Sequence, residues 1–157
     1  MKHLRSGILC ALCLLALTLT ALASPAALTV GGKAVDTSGL PRQVYVHNGT
    51  VMVPFRKTAQ ALGYAVSWND RLHCAQAEDG IQSVRVSDGS AAANWTGKLT
   101  VINLTRQTDL AEKAVIVQGV TYVPAALFEG FFNDVTVKGG AVDISPQMAY
   151  LDESPSN

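Results

Sequence analysis

Histidine is scarce in this chain, three residues in 157, and cysteine is equally rare. Two of the three cysteines, Cys10 and Cys13, lie in an apolar run near the N-terminus, GILCALCLLALTLTAL. Lys2, His3 and Arg5 precede that run, and Ala21-Leu22-Ala23 closes it. A basic start, an apolar middle and a small-x-small end read as a secretory signal peptide over residues 1–23, cleaved after Ala23. The run is short for a spanning helix of about 20 residues, so a membrane is expected to be met only through this segment, and only if it stays uncleaved. Neither cysteine follows the small residue that lipoprotein processing needs. Once the segment is gone Cys74 has no partner within the chain, which excludes a disulfide framework.

Charge of either sign is also thin. Twelve Lys and Arg face twelve Asp and Glu, and removal of Lys2 and Arg5 leaves ten basic side chains. They are not clustered, so a nucleic-acid partner is not expected. The chain contains no G-x-S-x-G, no H-E-x-x-H and no phosphate-binding glycine loop. The last residues, SPQMAYLDESPSN, carry proline, serine and acid without any period, and 146–157 reads as a flexible tail. What remains, residues 24–145, is about 120 residues, enough for one modest core.

Within that stretch the signals are positive. Residues 44–53, VYVHNGTVMV, place Asn48-Gly49 between two β-rich runs, a hairpin signal because Asn-Gly accepts the positive φ values of a type I′ turn. Pro54 follows, which keeps Val53 extended and suits the first position of a helix. Phe55, Thr58, Ala59 and Leu62 then fall on one helical face, with Arg56, Lys57 and Gln60 on the other. Gly63 stands where a left-handed residue ends a helix at low cost. AVSW, LHCAQA and SVRV follow as strand-like runs, separated by Asn69-Asp70 and Glu78-Asp79-Gly80.

The same order recurs: AVIV, Gln118-Gly119, VTYV, Pro124, a helix-like stretch, and Asn133 in the place of Gly63. Glutamine suits positive φ less well than asparagine, so this second turn is the weaker signal. Between the two stretches LTVINL alternates beside a Gly97-Lys98 turn, and VGGKAV precedes the first, so further hairpins are expected there. Units that each carry a one-sided helix must bury those faces together. The expected fold is α+β, a single domain of two β-hairpin–helix–strand repeats, about 28–77 and 95–145, on a mainly antiparallel sheet.

VGGKAV followed by VHNGTVMVPFRKTAQALGYAVSWN resembles the copper amine oxidase N-terminal-like domain, or stalk domain, of bacterial secreted and cell-envelope proteins. The residues that carry the resemblance are Gly32, Lys33, Asn48, Gly49, Pro54, Arg56, Gly63 and Trp68, with Gly119 and Pro124 in the second stretch. That stretch departs at Ala126, where the pattern has arginine, and it lacks the closing tryptophan. The resemblance implies a fold and transfers no reaction. Copper amine oxidases hold copper with three histidines and build a quinone from a tyrosine after asparagine. Without the export segment only His47 and His73 remain, and no Asn-Tyr pair occurs. Amine oxidase activity is therefore not expected, nor any cofactor.

Other side chains carry weaker suggestions. Arg56 reads as a bridge from helix to sheet, or as a grip on an acidic ligand. His73 and Cys74, as neighbours on a strand, would point to opposite faces and cannot act as base and nucleophile. Trp68, Trp95 and Tyr45 suit a core or a stacking platform for sugars. Leu127, Phe128, Phe131 and Phe132 exceed one narrow helical stripe, which suggests core or a partner-docking surface. The function expected is a secreted or cell-envelope, non-catalytic spacer or interaction module, whose partner is a cell-wall polymer or another envelope protein. The alternatives are a wall-active enzyme with a carboxylate site, or an accessory or inhibitory subunit docking through the Phe-rich second helix.

Overall fold

The computed structural model describes residues 27–98 and 104–146. The expected signal peptide, the tail from 147 onward and most of LTVINL lie outside the described residues. Three sheets and two short helices make up the rest, and nearly all strand pairs are antiparallel. The fold is thus mostly β, with helix confined to two seven-residue segments.

The first sheet joins the two ends of the domain. Strand β1 (Leu28–Val30) turns through Gly31-Gly32 into β2 (Lys33–Ala34), and the hairpin expected in VGGKAV is present. The second sheet contains β3 (Tyr45–His47) and β4 (Thr50–Pro54), linked by Asn48 and Gly49 at φ 47° and 79°. These are the type I′ values that Asn-Gly predicts. Pro54 closes β4 in an extended conformation instead of opening the helix, and Phe55 is the first residue of α1 (Phe55–Ala61). Phe55, Thr58 and Ala59 are fully buried, and the Thr58 hydroxyl donates to the Pro54 carbonyl at 2.8 Å. Gly63, at φ 83°, ends the helix as expected: its amide meets Gln60 O, and the Tyr64 amide meets Ala59 O. That pair of bonds is a Schellman stop.

A five-stranded meander follows, made of β5 (Ala65–Asn69), β6 (Cys74–Glu78), β7 (Gln82–Ser87), β8 (Ala92–Gly97) and β9 (Thr105–Asp109). The hairpin expected about Gly97-Lys98 is present as β8–β9, but its strands are AANWTG and TRQTD, which the patterning did not mark. AANWTG has few β-branched residues, and TRQTD is polar and forms the sheet edge, where one face and one side meet solvent. His73 is not on a strand. It occupies the turn before β6 at φ 48°, exposed, whereas Cys74 is buried, and burial pushes its thiol pKa up.

The chain then returns to the second sheet. Strands β10 (Val115–Val117) and β11 (Val120–Pro124) are linked by Gln118 and Gly119 at φ 48° and 79°, nearly the angles of the first turn. Strand β11 pairs with β4, Val123 opposite Val53. A 3-10 helix (Ala125–Phe131) follows where an α-helical plan was expected. At three residues per turn its side chains at i and i+3 eclipse, so Ala125, Phe128 and Phe131 form one buried row while Phe132 falls outside it, 60% exposed.

The stop also differs from expectation. The left-handed residue is Phe132, φ 61°, not Asn133. Asn133 is buried at the start of β12 (Asn133–Lys138), and its side-chain amide donates to Phe128 O at 3.0 Å and to the Tyr64 hydroxyl at 2.9 Å. A side chain here satisfies a helix-end carbonyl that a backbone amide satisfies in the first unit. Strand β12 then pairs with β13 (Ala141–Pro146), which lies parallel to β1 and closes the domain.

One core spans all three sheets. It includes Val53 and Val123 from the central strand pair, Val84 and Trp95 from the meander, and Ile144 from the closing strand. Phe55 and Phe128 meet at its centre, ring centroids 6.2 Å apart. Each fully buried phenyl contributes roughly 1.5–3 kcal/mol relative to an exposed one.

Candidate functional site

Residues expected to be structural meet at one surface cleft. Pro54 and Arg56 come from the β4–α1 junction, Val66 and Trp68 from β5, Ala75 from β6, and Gly119 from the β10–β11 turn. The cleft holds about 300 Å³. The alternation of β5 explains its floor: Val66 and Trp68 share a face two residues apart, and they pair with Ala77 and Ala75. That face continues inward through Val84, Val86, Ala93 and Trp95. The cleft is where the inner face of the meander reaches the surface beside α1.

Its electrostatics have one sign. Arg56 and Lys57 line the cleft, and no acidic side chain does so among the described residues. Arg56 is exposed and makes no hydrogen bond or ion pair among the described residues, so the helix-to-sheet bridge expected of it is not formed there. Lys57 is half-buried and stands near Asp36. Hydrogen bonds from the Ser38 hydroxyl and amide hold the Asp36 carboxyl below its ordinary pKa, with a smaller contribution from Lys57. Trp68 is 41% exposed and has no ring partner among the described residues. Lys57 was not singled out from the sequence. The Arg56-Lys57 doublet opening a helix was the available signal.

The three-aromatic platform is not assembled. Trp95 is buried, its indole Nε1 donating to Thr108 Oγ1 at 2.9 Å and its ring edge-on to Phe131 at 4.8 Å. Tyr45 packs edge-on against Tyr122 on the second sheet, with the Arg42 guanidinium 4.9 Å above its ring. Of these three rings only that of Trp68 lies open in the cleft. Leu127, Phe128 and Phe131 are at most 4% exposed and belong to the core, so of the Phe-rich group Phe132 alone reaches solvent.

A shallow polar groove elsewhere is lined by Glu129, Asp134 and Asp143. Asp143 accepts from the Thr29 and Ser145 hydroxyls, and those bonds hold its pKa below the ordinary carboxylate value. A general acid needs the opposite shift. The two histidines also stand apart, His47 on β3 of the second sheet and His73 in a turn of the meander. Among the described residues no three His, Cys, Asp or Glu gather so as to hold a metal ion, and the side chains do not fit a copper centre.

The fold and cleft define a small, mainly antiparallel β domain whose concave site is built from packing residues and cations. The model of the copper amine oxidase N-terminal domain matches residues 29–144, and the chain belongs to that family. No curated protein and no solved structure is similar enough to count as a match. The family is that of a non-catalytic domain.

Proposed function

We propose that this chain is a secreted or cell-envelope-associated, non-catalytic domain that acts as a spacer and binding module at the cell surface. The observation that carries the reading is the family match over residues 29–144. The N-terminal 1–23, read as an export signal, supports the location. The two hairpin–helix units are read as copies of one plan. Supporting this, Val53 and Val123 face each other with Pro54 opposite Tyr122 and Met52 opposite Pro124, a register unchanged when the two units are exchanged.

Incubating the purified protein with cell walls and envelope extract tests the reading. Retention of a wall polymer or envelope protein is the expected result, and no retention of any component would overturn the binding role. A second reading, an accessory subunit, draws on the exposure of Phe132. Replacing Phe132 with Ser while the fold stays intact should abolish capture of a protein partner if that reading holds.

A further inference from the structure

We propose that the cleft between the start of α1, β5 and the β10–β11 turn binds an acidic polysaccharide, with Trp68 stacked on the apolar face of a pyranose ring and Arg56 holding that ring's carboxylate. The inference rests on the envelope binding-module reading, which places polysaccharide within the protein's reach.

The argument begins with two side chains that the fold leaves unused. Trp68 ends the apolar face of β5, where core packing would ordinarily cover an indole, yet it is 41% exposed. Arg56 sits across the same cleft, exposed and unpaired among the described residues. A guanidinium offers a planar fork of donors matched to a carboxylate. An open indole offers a flat, electron-rich surface to the C–H face of a sugar, and Pro54 and Val66 extend that apolar floor. The volume, about 300 Å³, lies at the lower end of small-molecule clefts, which span about 300–1,000 Å³. It suits one sugar residue of a chain that continues past an open rim.

Charge selects among sugars. Lys57 stands near Asp36, but Arg56 has no acidic counterpart among the described residues and none lines the cleft, so a neutral glycan would leave Arg56 unmatched while an acidic one supplies the missing sign. A nucleotide would also offer a ring and an anion. The surrounding chain, however, has no basic field of the kind that draws a nucleic-acid backbone.

Calorimetric titration of the purified protein with tetragalacturonate tests the assignment, with cellotetraose, an acidic peptide and a single-stranded oligonucleotide as comparison ligands. Saturable binding of tetragalacturonate and at least tenfold weaker binding of the others is expected. Trp68→Ala and Arg56→Gln should each weaken it about tenfold, the scale of one charge-assisted hydrogen bond or one lost stacking surface. Trp68→Phe should restore most of the loss, which a merely unfolded variant would not do, and thermal melts verify that each variant folds. The assignment is overturned by silence toward tetragalacturonate, by affinity unchanged in both variants, or by equal or tighter binding of any comparison ligand. A protein retained by envelope extract yet silent toward tetragalacturonate would sink the cleft assignment and spare the module.

Discussion

The two hairpin–helix segments, β3–β4–α1 and β10–β11 with its 3-10 helix, differ in how each is held. In the first, a type I′ turn on Asn48-Gly49 leads to an α-helix that ends at Gly63 with two backbone bonds. In the second, Gln118-Gly119 takes almost the same angles, but the helix is 3-10, and its end relies on Phe132 in the left-handed region and on the Asn133 side chain. The first unit closes by local geometry and leaves Arg56 and Trp68 free at the surface. The second closes by long-range packing: Phe131 lies between Tyr64 and Trp95, and the Gly130 carbonyl accepts from Gln82 Nε2 and Arg106 Nη2. Local closure leaves side chains open to solvent, and packed closure commits them to the core.

The sharpest way to break this comparison is Phe131→Asp. A carboxylate among Tyr64, Phe128 and Trp95 should cost about 4 kcal/mol or more. That approaches the whole stability of a domain of this kind, roughly 5–15 kcal/mol. Urea unfolding should find the variant largely unfolded, and a cooperative, near-native transition would show that the second helix is a docking element after all.

Next in size is Gly130→Ala. A Cβ built there would stand 2.3 Å from the Trp95 ring, so the indole must move. Such overpacking costs about 1–3 kcal/mol. Its counterpart in the first helix, Gln60→Ala, sits on an exposed face and should change stability by only a few tenths of a kcal/mol. Equal effects in thermal melts would erase the distinction drawn between the units.

The helix stops give a smaller contrast. Gly63→Ala should destabilise by about 1 kcal/mol, since a Cβ is unwelcome in the left-handed region. Phe132→Gly relieves that same strain while adding freedom to the unfolded chain, and should stay within about 0.5 kcal/mol of the parent. At the turns, Gln118→Asn should stabilise by a few tenths of a kcal/mol, because asparagine enters the left-handed region more readily.

The smallest effect is one of pH. Glu112 accepts from the Lys113 amide and the Asn48 side-chain amide, which ties the first turn to the loop before the second hairpin and lowers the Glu112 pKa. A lowered folded pKa means that this contribution is complete above the unfolded value, near 4.3, and is lost as pH falls through the folded one. Glu112→Gln should therefore lower stability slightly at neutral pH, leave the strongly acid end unchanged, and so flatten the acid limb of the profile below about pH 5. A variant with an unaltered acid limb would show that this tie carries no stability.

Much of the fold was legible because its signals are local. Asn48-Gly49 demands its turn, Pro54 keeps the preceding strand extended, and Gly63 stops the first helix, each through the φ and ψ its own residue tolerates. The second helix was misread in type because nothing local makes Ala125–Phe131 a 3-10 segment. Phe131 packs on Trp95 and Phe128 on Phe55, and these partners of the buried row lie far away in the chain. The hairpin about Gly97-Lys98 was expected, but its strands β8 and β9 were not marked, as polar and alanine-rich segments become strands here by pairing.

The sequence by itself thus determined the turns, the first helix with its stop, the scarcity of metal ligands and the family, since all of these rest on residue identity and short spacing. Only the tertiary structure decided which aromatics are buried and which remain open. It drew Trp95 into the core and left Trp68 beside Arg56, because burial depends on what the rest of the chain packs against each ring.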